Sequence, residues 1–170
     1  MRLLGGIARP QATLIVRHLD ANGREIRSRR GILGLLGVKR ADRRKAHGCV
    51  TDAYVALLVD DLQLSQAGHS TFMYHDSGTG IAAEAATDTT LGTPTAEARD
   101  TGTQVEGATA NVYKSVATHT YGGSFAITEH GLFNAATLGT LMDRTKFAAV
   151  NVASGEKVEF SYELQVSSGG

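Results

Sequence analysis

The clearest pattern in the sequence is an alternation of apolar and polar residues near the C-terminus. In the segment KVEFSYELQVSS the apolar residues are Val158, Phe160, Tyr162, Leu164 and Val166, and every residue between them is polar. Because successive side chains of a β-strand point to opposite faces, this period of two predicts a strand buried on one face only. Burial of such side chains contributes about 7–15 kcal/mol before chain entropy is subtracted, so the strand is expected to be central to the core.

Further strands are predicted in the region that begins at Phe72. The candidates are NVYKSVATHTY, FAITEHGLF and KFAAVNV, and they are separated by YGGS, NAATLGT and ASGEK, which are rich in turn-forming residues. Short strands at this spacing are typical of a β-sandwich. The Gly-, Ala- and Thr-rich stretch at residues 78–111 has weak periodicity and is predicted to be a long loop with one short strand or helix.

One segment, VTDAYVALLVDDLQL, has the period of a helix. Its apolar positions at helical spacing are Val50, Ala53, Tyr54, Leu57 and Leu58. Thr51 can cap the helix N-terminus, and Asp52 then lies in the first turn. The pattern predicts one short helix at about residues 50–64. Asp60 and Asp61 lie near its end, where negative charge opposes the helix dipole.

The N-terminal part is predicted to form a hairpin followed by an extended arm. In ATLIVRHLDANGREIRSRR, the set Leu14, Val16 and His18 alternates with the set Ile15, Arg17 and Leu19. Asn22-Gly23 supplies the positive φ angles that a tight turn needs. The apolar run from Gly31 to Val38 lies between two basic clusters, and its glycines disfavour a helix. An extended arm with apolar anchors is favoured, and a membrane-surface peptide and a nucleic-acid tail are the alternatives.

Charge divides the chain into two parts. Residues 1–47 contain twelve Lys and Arg and three Asp and Glu, whereas residues 48–170 contain five and fourteen. The two parts therefore carry net charges of about +9 and −9. A basic segment on an acidic body is typical of a tail that contacts a partner. The predicted organisation is a basic hairpin and arm at residues 1–47 and a β-sandwich domain at residues 48–170.

Composition bears on the number of domains, on disulfide bonding and on membrane contact. Its 170 residues suit one domain with an appendage, and 20 Gly with no Trp favour turns and β structure. Cys49 is the single cysteine, so it forms no intramolecular disulfide and is predicted to be a small buried side chain. No apolar run approaches the roughly 20 residues that span a bilayer. We expect a soluble protein, made in the cytoplasm, without membrane contact.

The segment AITEHGLFNA places a carboxylate beside an imidazole and suggests a catalytic site. Glu129 and His130 are neighbours in a predicted strand, so alternation puts them on opposite faces unless a bulge intervenes. Ile127 is expected to share the face of Glu129. For Glu129 the alternatives are exposure to solvent and a buried ion pair with Arg144 of LMDRT.

A second candidate, Asp76-Ser77-Gly78-Thr79, matches the short signature of aspartic proteases. Those enzymes bring two carboxylates together to share a proton, and this chain has one copy, so a dimer would be required. The ordinary interpretation is a strand end followed by an Asx-type turn. Metal binding is not expected from the histidines, since none forms a His-x-His pair. The sequence predicts no catalytic residue, metal ligand or cofactor.

A set of segments from about Val50 to Gly170 carries a resemblance to a known family. In order, they are FMYHDSGTG, AATDTTLGTP, NVYKSVATHTY, AITEHGLFNA, LMDRTKFAAVNV and GEKVEFSYELQVSSGG. Their order and spacing resemble a family of small virion proteins of tailed phages, and phage tail-fibre and collar modules show a looser version. The resemblance implies a β-sandwich structural module without catalytic residues.

Together these observations predict a mainly β protein, a jelly-roll-like β-sandwich with one short helix and an extended basic N-terminal arm. The predicted function is that of a non-enzymatic phage virion protein that decorates or cements the capsid through the arm, as a symmetric oligomer. A tail, neck, baseplate or fibre-associated protein is the alternative, and a nucleic-acid-binding protein and a dimeric aspartic protease are remote ones. The residues predicted to contact the partner are Arg27, Arg29, Arg30, Ile32, Leu33, Leu35, Leu36, Arg40, Arg43 and Arg44.

Overall fold

A computed structural model describes residues 10–28, 40–64 and 71–167. In chain order the strands of these residues are β1 (Gln11–Leu19), β2 (Arg27–Ser28), β3 (Arg40–Ala41), β4 (Arg43–His47), β5 (Cys49–Val50), β6 (Tyr74–Gly78), β7 (Asp100–Thr101), β8 (Thr103–Glu106), β9 (Val112–Thr120), β10 (Phe125–Phe133), β11 (Leu141–Val152) and β12 (Lys157–Gln165). The helix α1 (Asp52–Leu64) lies between β5 and β6 in the chain.

The strands form two antiparallel five-stranded sheets. Sheet I has the order β4-β1-β12-β9-β8, and sheet II has the order β5-β11-β10-β6-β7. Strands β2 and β3 pair as a separate short ribbon. The apolar faces of the two sheets share one core, to which sheet I contributes Leu14 and Phe160 and sheet II contributes Ile127 and Val150. The prediction of a mainly β sandwich with one short helix is confirmed.

The alternating C-terminal segment is β12, at the centre of sheet I. It pairs with β1 on one side and β9 on the other along its full length. Val158, Phe160, Tyr162 and Leu164 are buried in the core, as the period of two predicts. Val166 differs from the prediction, because it follows the strand end and is 56% exposed.

The predicted boundary at residue 47 does not match the packing. Strand β1 lies inside sheet I, bonded to β12 and to β4, and its side chains Ala12, Leu14 and Val16 are part of the core. The turn at Asn22-Gly23 forms with Gly23 at φ 78°. However, after the turn the chain runs back beside β1 only as far as Ile26. The rest of this edge of β1 pairs with β4. Apolar burial therefore places β1 and β4 in the sandwich, despite the charge of this part of the chain.

Helix α1 closes one end of the sandwich. The backbone N–H of Tyr54 donates to Oγ1 of Thr51 at 3.2 Å, so the predicted N-terminal cap is present. The Tyr54 ring packs edge-on against Phe72, with 5.2 Å between ring centroids. The face of α1 turned away from the core leaves Val55, Val59 and Leu62 exposed at 44%, 45% and 80%.

The long Gly-, Ala- and Thr-rich segment covers the outer face of sheet II. It contains the short strands β7 and β8, where one short element was predicted. Leu91 from this segment packs with Phe133 and Leu141 of sheet II in a second apolar cluster, flanked by Tyr74. The segment is therefore fastened to the sandwich, and the groups that fasten it are the polar clusters singled out in the sequence.

Candidate functional site: a basic end and buried polar clusters

Basic side chains gather at the end of the sandwich that lies away from α1. Ala12, near the start of β1, pairs with Leu164, which lines a cavity beside Tyr54 of α1. Arg17 lies near the other end of β1, opposite Arg43 of β4. We use the name basic end for Arg17, Arg24, Arg27, Arg40 and Arg43.

The predicted partner-binding residues fall into four groups, of which Arg44 alone forms the fourth. Arg27 and Arg40 are exposed on the β2–β3 ribbon and form no ion pair within the described residues. Arg43 is exposed and bonds through its guanidinium to both carboxylate oxygens of Glu25, which holds the pKa of Glu25 below its usual value. Arg44 is described below. The other residues predicted to contact the partner lie outside the described residues, and they are Arg29, Arg30, Ile32, Leu33, Leu35 and Leu36.

Arg44 points in the opposite direction from Arg43 and is bonded inside the protein. Its guanidinium donates to the carbonyl oxygens of Ala148 at 3.1 Å and Ala149 at 3.0 Å, and it contacts Asp42. These bonds join β4 of sheet I to β11 of sheet II at an open edge of the sandwich. Arg44 was predicted to contact a partner, but its donors are used to close the fold because alternation turns it inward.

Glu129 and Arg144 form a buried ion pair beneath the long loop. Glu129 has no exposed surface and the Arg144 side chain is 3% exposed, with 2.7 Å between Oε2 and Nη2. The backbone N–H groups of Gly80, Gly92 and Thr93 also donate to the carboxylate, at 2.9, 3.0 and 2.7 Å. Burial acts to raise the pKa of Glu129, but these donors outweigh it and lower the pKa. Of the two alternatives for Glu129, the buried ion pair is confirmed.

The Asp-Ser-Gly-Thr segment forms part of a strand, so the predicted Asx-type turn is wrong. Asp76 lies within β6 and accepts a hydrogen bond from Nε of Arg99 at 3.0 Å. The Arg99 guanidinium in turn lies 3.4 Å above the Phe133 ring. Gly78 is needed because Glu129 approaches closely: a Cβ there would lie 2.5 Å from Oε1 of Glu129. The segment is therefore a second attachment point for the loop.

A row of neutral polar side chains links the two sheets through the core. Oγ of Ser115 and Nε2 of His75 are 2.8 Å apart, and Nδ1 of His75 and Nε2 of His130 are 2.9 Å apart. Burial lowers the pKa of His75 to about 3 and that of His130 well below its usual value, so both rings are neutral at pH 7. Solvent reaches at most 1% of each of these three residues, so Ser115 is not accessible to a substrate.

Glu129 and His130 face opposite sides of sheet II, as predicted, and they share no partner. A bulge between Ile127 and Glu129 shifts the register of β10 against β11. It turns His130 into the core, where its ring centroid lies 4.7 Å from that of Phe160. Ile127 is also in the core. The prediction that Ile127 shares the face of Glu129 is therefore wrong.

Asp143 is a buried carboxyl that no pattern in the sequence singles out. It pairs in the sheet with the core residue Leu132, so it faces the core, and it is completely buried. Oγ1 of Thr145 donates to its Oδ1 at 2.6 Å, and its Oδ2 has no hydrogen-bond partner among the described residues. Burial raises the pKa of Asp143 to about 7, with a contribution from Glu84.

Replacement of Asp143 by Asn is expected to remove a contribution that lowers stability as pH rises from about pH 4 to pH 7. With a folded pKa of about 7, the native protein keeps a proton that the unfolded chain releases above its ordinary value of 3.8. Stability from this group is thus present at low pH and is lost as pH rises, at up to about 1.4 kcal/mol per pH unit. Urea denaturation of both proteins at several pH values measures the difference.

The wild-type protein must be compared with the Asp143→Asn variant because the neutral histidines also make stability depend on pH. Their lowered pKa values make stability fall as pH decreases, which opposes the effect of Asp143. Both proteins contain these histidines, so their contribution cancels in the difference. Identical pH profiles for the wild-type protein and the Asp143→Asn variant would contradict a raised pKa at Asp143.

The described residues contain no cluster that could hold a metal ion, and the chain matches no known protein. No group of three or more His, Cys, Asp or Glu within the described ranges is arranged to hold a metal ion. Within the same ranges, no helix combines the length and apolar character needed to cross a membrane. Cys49, predicted to be buried, is half-buried in β5. Family models, curated proteins and solved structures were compared with this chain, and none matches it.

Proposed function

We propose that the chain is a non-enzymatic structural protein of a tailed-phage virion, and that it decorates or cements the capsid through its basic end. The resemblance of the segments between Val50 and Gly170 to small virion proteins motivates the proposal. The observation that carries it is the exposure of Arg27 and Arg40 on paired strands of a ribbon, without an ion-pair partner within the described residues.

This geometry favours contact with an acidic protein surface. A guanidinium presents a planar fork of donors that matches a carboxylate. Arg27 pairs with Ala41 and Arg40 pairs with Ser28, so alternation directs the two arginines to opposite faces of the ribbon, where each can engage a separate carboxylate. In the sequence, Ile32, Leu33, Leu35 and Leu36 fall between these two strands. Apolar side chains from this segment would add contacts that salt does not screen.

The buried clusters support a structural protein over an enzyme. The carboxylates of Glu129 and Asp76 bond to Arg144 and Arg99, which attach the loop to sheet II. His75 bonds within the core and has almost no exposed surface. Each group that suggested chemistry in the sequence therefore has an internal partner that accounts for its presence.

Co-sedimentation of the full chain with emptied capsids and with free duplex DNA tests the proposal. We expect binding to capsids that weakens with salt only in part, whereas a DNA-binding arm would show steep salt dependence. The Arg27→Gln/Arg40→Gln variant is expected to lose about tenfold or more in capsid affinity, because each charged contact contributes about 1 kcal/mol or more. Substitutions are used because β1 and β4 belong to sheet I, so deletion of residues 1–47 would remove two of its strands.

Lys114→Gln/Lys146→Gln is the matched control, since it removes the same charge away from the basic end. This control is expected to bind capsids as the wild-type protein does. Binding to DNA alone would overturn the proposal in favour of a nucleic-acid-binding protein. Binding to neither would overturn capsid decoration and favour a tail component.

A further inference from the structure

Among the described residues, the two ends of the sandwich expose side chains of opposite charge. The basic end exposes Arg24, Arg27 and Arg40, for which the described residues provide no ion-pair partner. At the other end, α1 contains three acidic residues and no basic residue, and its outward face exposes the apolar row Val55, Val59 and Leu62. We use the name helix face for this row together with the adjacent exposed residues Asp60 and Gln63.

The electrostatics of the helix face favour a nearby cation, and α1 itself supplies none. The C-terminal end of a helix is the negative end of its dipole, and a nearby cation stabilises it. The last turn of α1 has no basic residue, and Asp60 adds a negative charge close to that turn. A guanidinium supplied from outside would therefore be attracted both by the dipole and by the carboxylate.

The basic end of the same molecule is too far away to supply that group. Strand β1 runs from the α1 end to the basic end and has nine residues, which span about 25–30 Å. The two surfaces can therefore meet only between copies. Arginine also suits the apolar row, because its aliphatic stem can lie on Val55, Val59 and Leu62 while its charged head reaches Asp60.

We infer that copies of this chain associate head to tail, with the basic end of one copy seated on the helix face of the next. The contact joins two different surfaces, so it forms either a closed ring or an open row, depending on the rotation between copies. Arg27 and Arg40 also serve as the capsid contact in the proposed function. Self-association and capsid binding therefore compete for the same basic end.

Charge reversal at each surface tests the inference in the full chain. Arg27→Glu/Arg40→Glu reverses the charge of the β2–β3 ribbon, and Asp60→Lys/Gln63→Lys makes the helix face positive. The lysines of the second variant lie near the helix C-terminus, where positive charge is favourable, so folding is expected to be preserved. Circular dichroism and thermal denaturation check that both variants are folded.

Sedimentation velocity over about 1 µM to 1 mM measures the association. We expect the wild-type chain to associate more strongly at low salt, and each variant alone to associate at least about tenfold more weakly. An equimolar mixture of the two variants is expected to recover association, because each then meets a complementary surface. Leu62→Ser removes apolar surface from the helix face and leaves the charge unchanged. This single variant is also expected to associate more weakly than the wild-type chain.

Two results would overturn the inference: a wild-type chain that stays monomeric over this range, or variants that associate alone as the wild-type chain does. Capsid binding gives an independent readout. Asp60→Lys/Gln63→Lys is expected to lose self-association and keep capsid binding, whereas Arg27→Glu/Arg40→Glu is expected to lose both. Loss of self-association in both variants without any capsid binding by the wild-type chain would reject the proposed function and retain the inference.

Discussion

Replacement of Arg144 by Met is expected to lower the free energy of unfolding by about 3–5 kcal/mol, the usual cost of breaking a buried ion pair from one side. The change leaves the Glu129 carboxylate buried and without its cation. It also removes the bonds from Arg144 to Asp88 and to the carbonyl oxygens of Ala82 and Ala83 in the loop. Urea denaturation measures the loss.

The matched control is Arg17→Met. Arg17 also pairs with a glutamate, Glu159, at 2.9 Å, but its side chain is 41% exposed. An exposed pair contributes at most about 1 kcal/mol, so the control is expected to lose no more than that. Equal losses in the two variants would contradict the role of burial at Arg144.

Hydrogen exchange locates the effect of Arg144→Met. The amides of Gly80, Gly92 and Thr93 donate to Glu129, so they are expected to exchange faster when the loop loosens. Amides of β12 in sheet I are expected to change only as far as global stability changes. A uniform increase across both sheets would indicate that Arg144 supports the whole sandwich and not the loop attachment.

Phe160→Ala is expected to destabilise the protein by about 3–5 kcal/mol, the range for removal of a buried aromatic side chain. Phe160 is 1% exposed and packs against His130 and Phe147, with ring centroids 4.7 and 6.4 Å away. The missing ring would leave a cavity beside the His75–His130 hydrogen bond. Denaturation by urea at pH 7 measures the change.

Glu159→Ala tests the register of the same strand. Glu159 is the neighbouring residue, but it faces outward and pairs with the exposed Arg17, so the variant is expected to lose under about 1 kcal/mol. Comparable losses at positions 159 and 160 would contradict the inward direction of Phe160.

Patterns within a single element were predicted well because their cause is local. The alternation in KVEFSYELQVSS reports which side chains of β12 face the core, and the cap at Thr51 depends on a hydroxyl and an amide three residues apart. The opposite directions of Glu129 and His130 follow from the same alternation. For Glu129 the sequence left two alternatives, exposure and a buried ion pair with Arg144, and only the packing of the loop selected the buried pair.

Other features depend on pairing between distant segments, and the sequence carried little sign of them. The segment RRKAH has no apolar alternation, yet Arg43–His47 forms a strand because it pairs with β1. This pairing turns Arg44 inward, to bond with carbonyl groups more than one hundred residues away along the chain. Asp143 is buried because it pairs with the core residue Leu132, and residue types alone do not specify which residues pair across two strands.

The sequence by itself determined the fold class, the position of the helix and the inward face of the central strand, because periodicity and capping act within a few neighbouring residues. The tertiary structure decided which charges are exposed and which are buried. The charge division assigned residues 1–47 to a basic hairpin and arm outside the sandwich. In the structure β1 lies in sheet I, because burial of its apolar face stabilises the fold. Whether an arginine faces a partner or closes the fold depends on pairing and register, which arise only when distant segments meet.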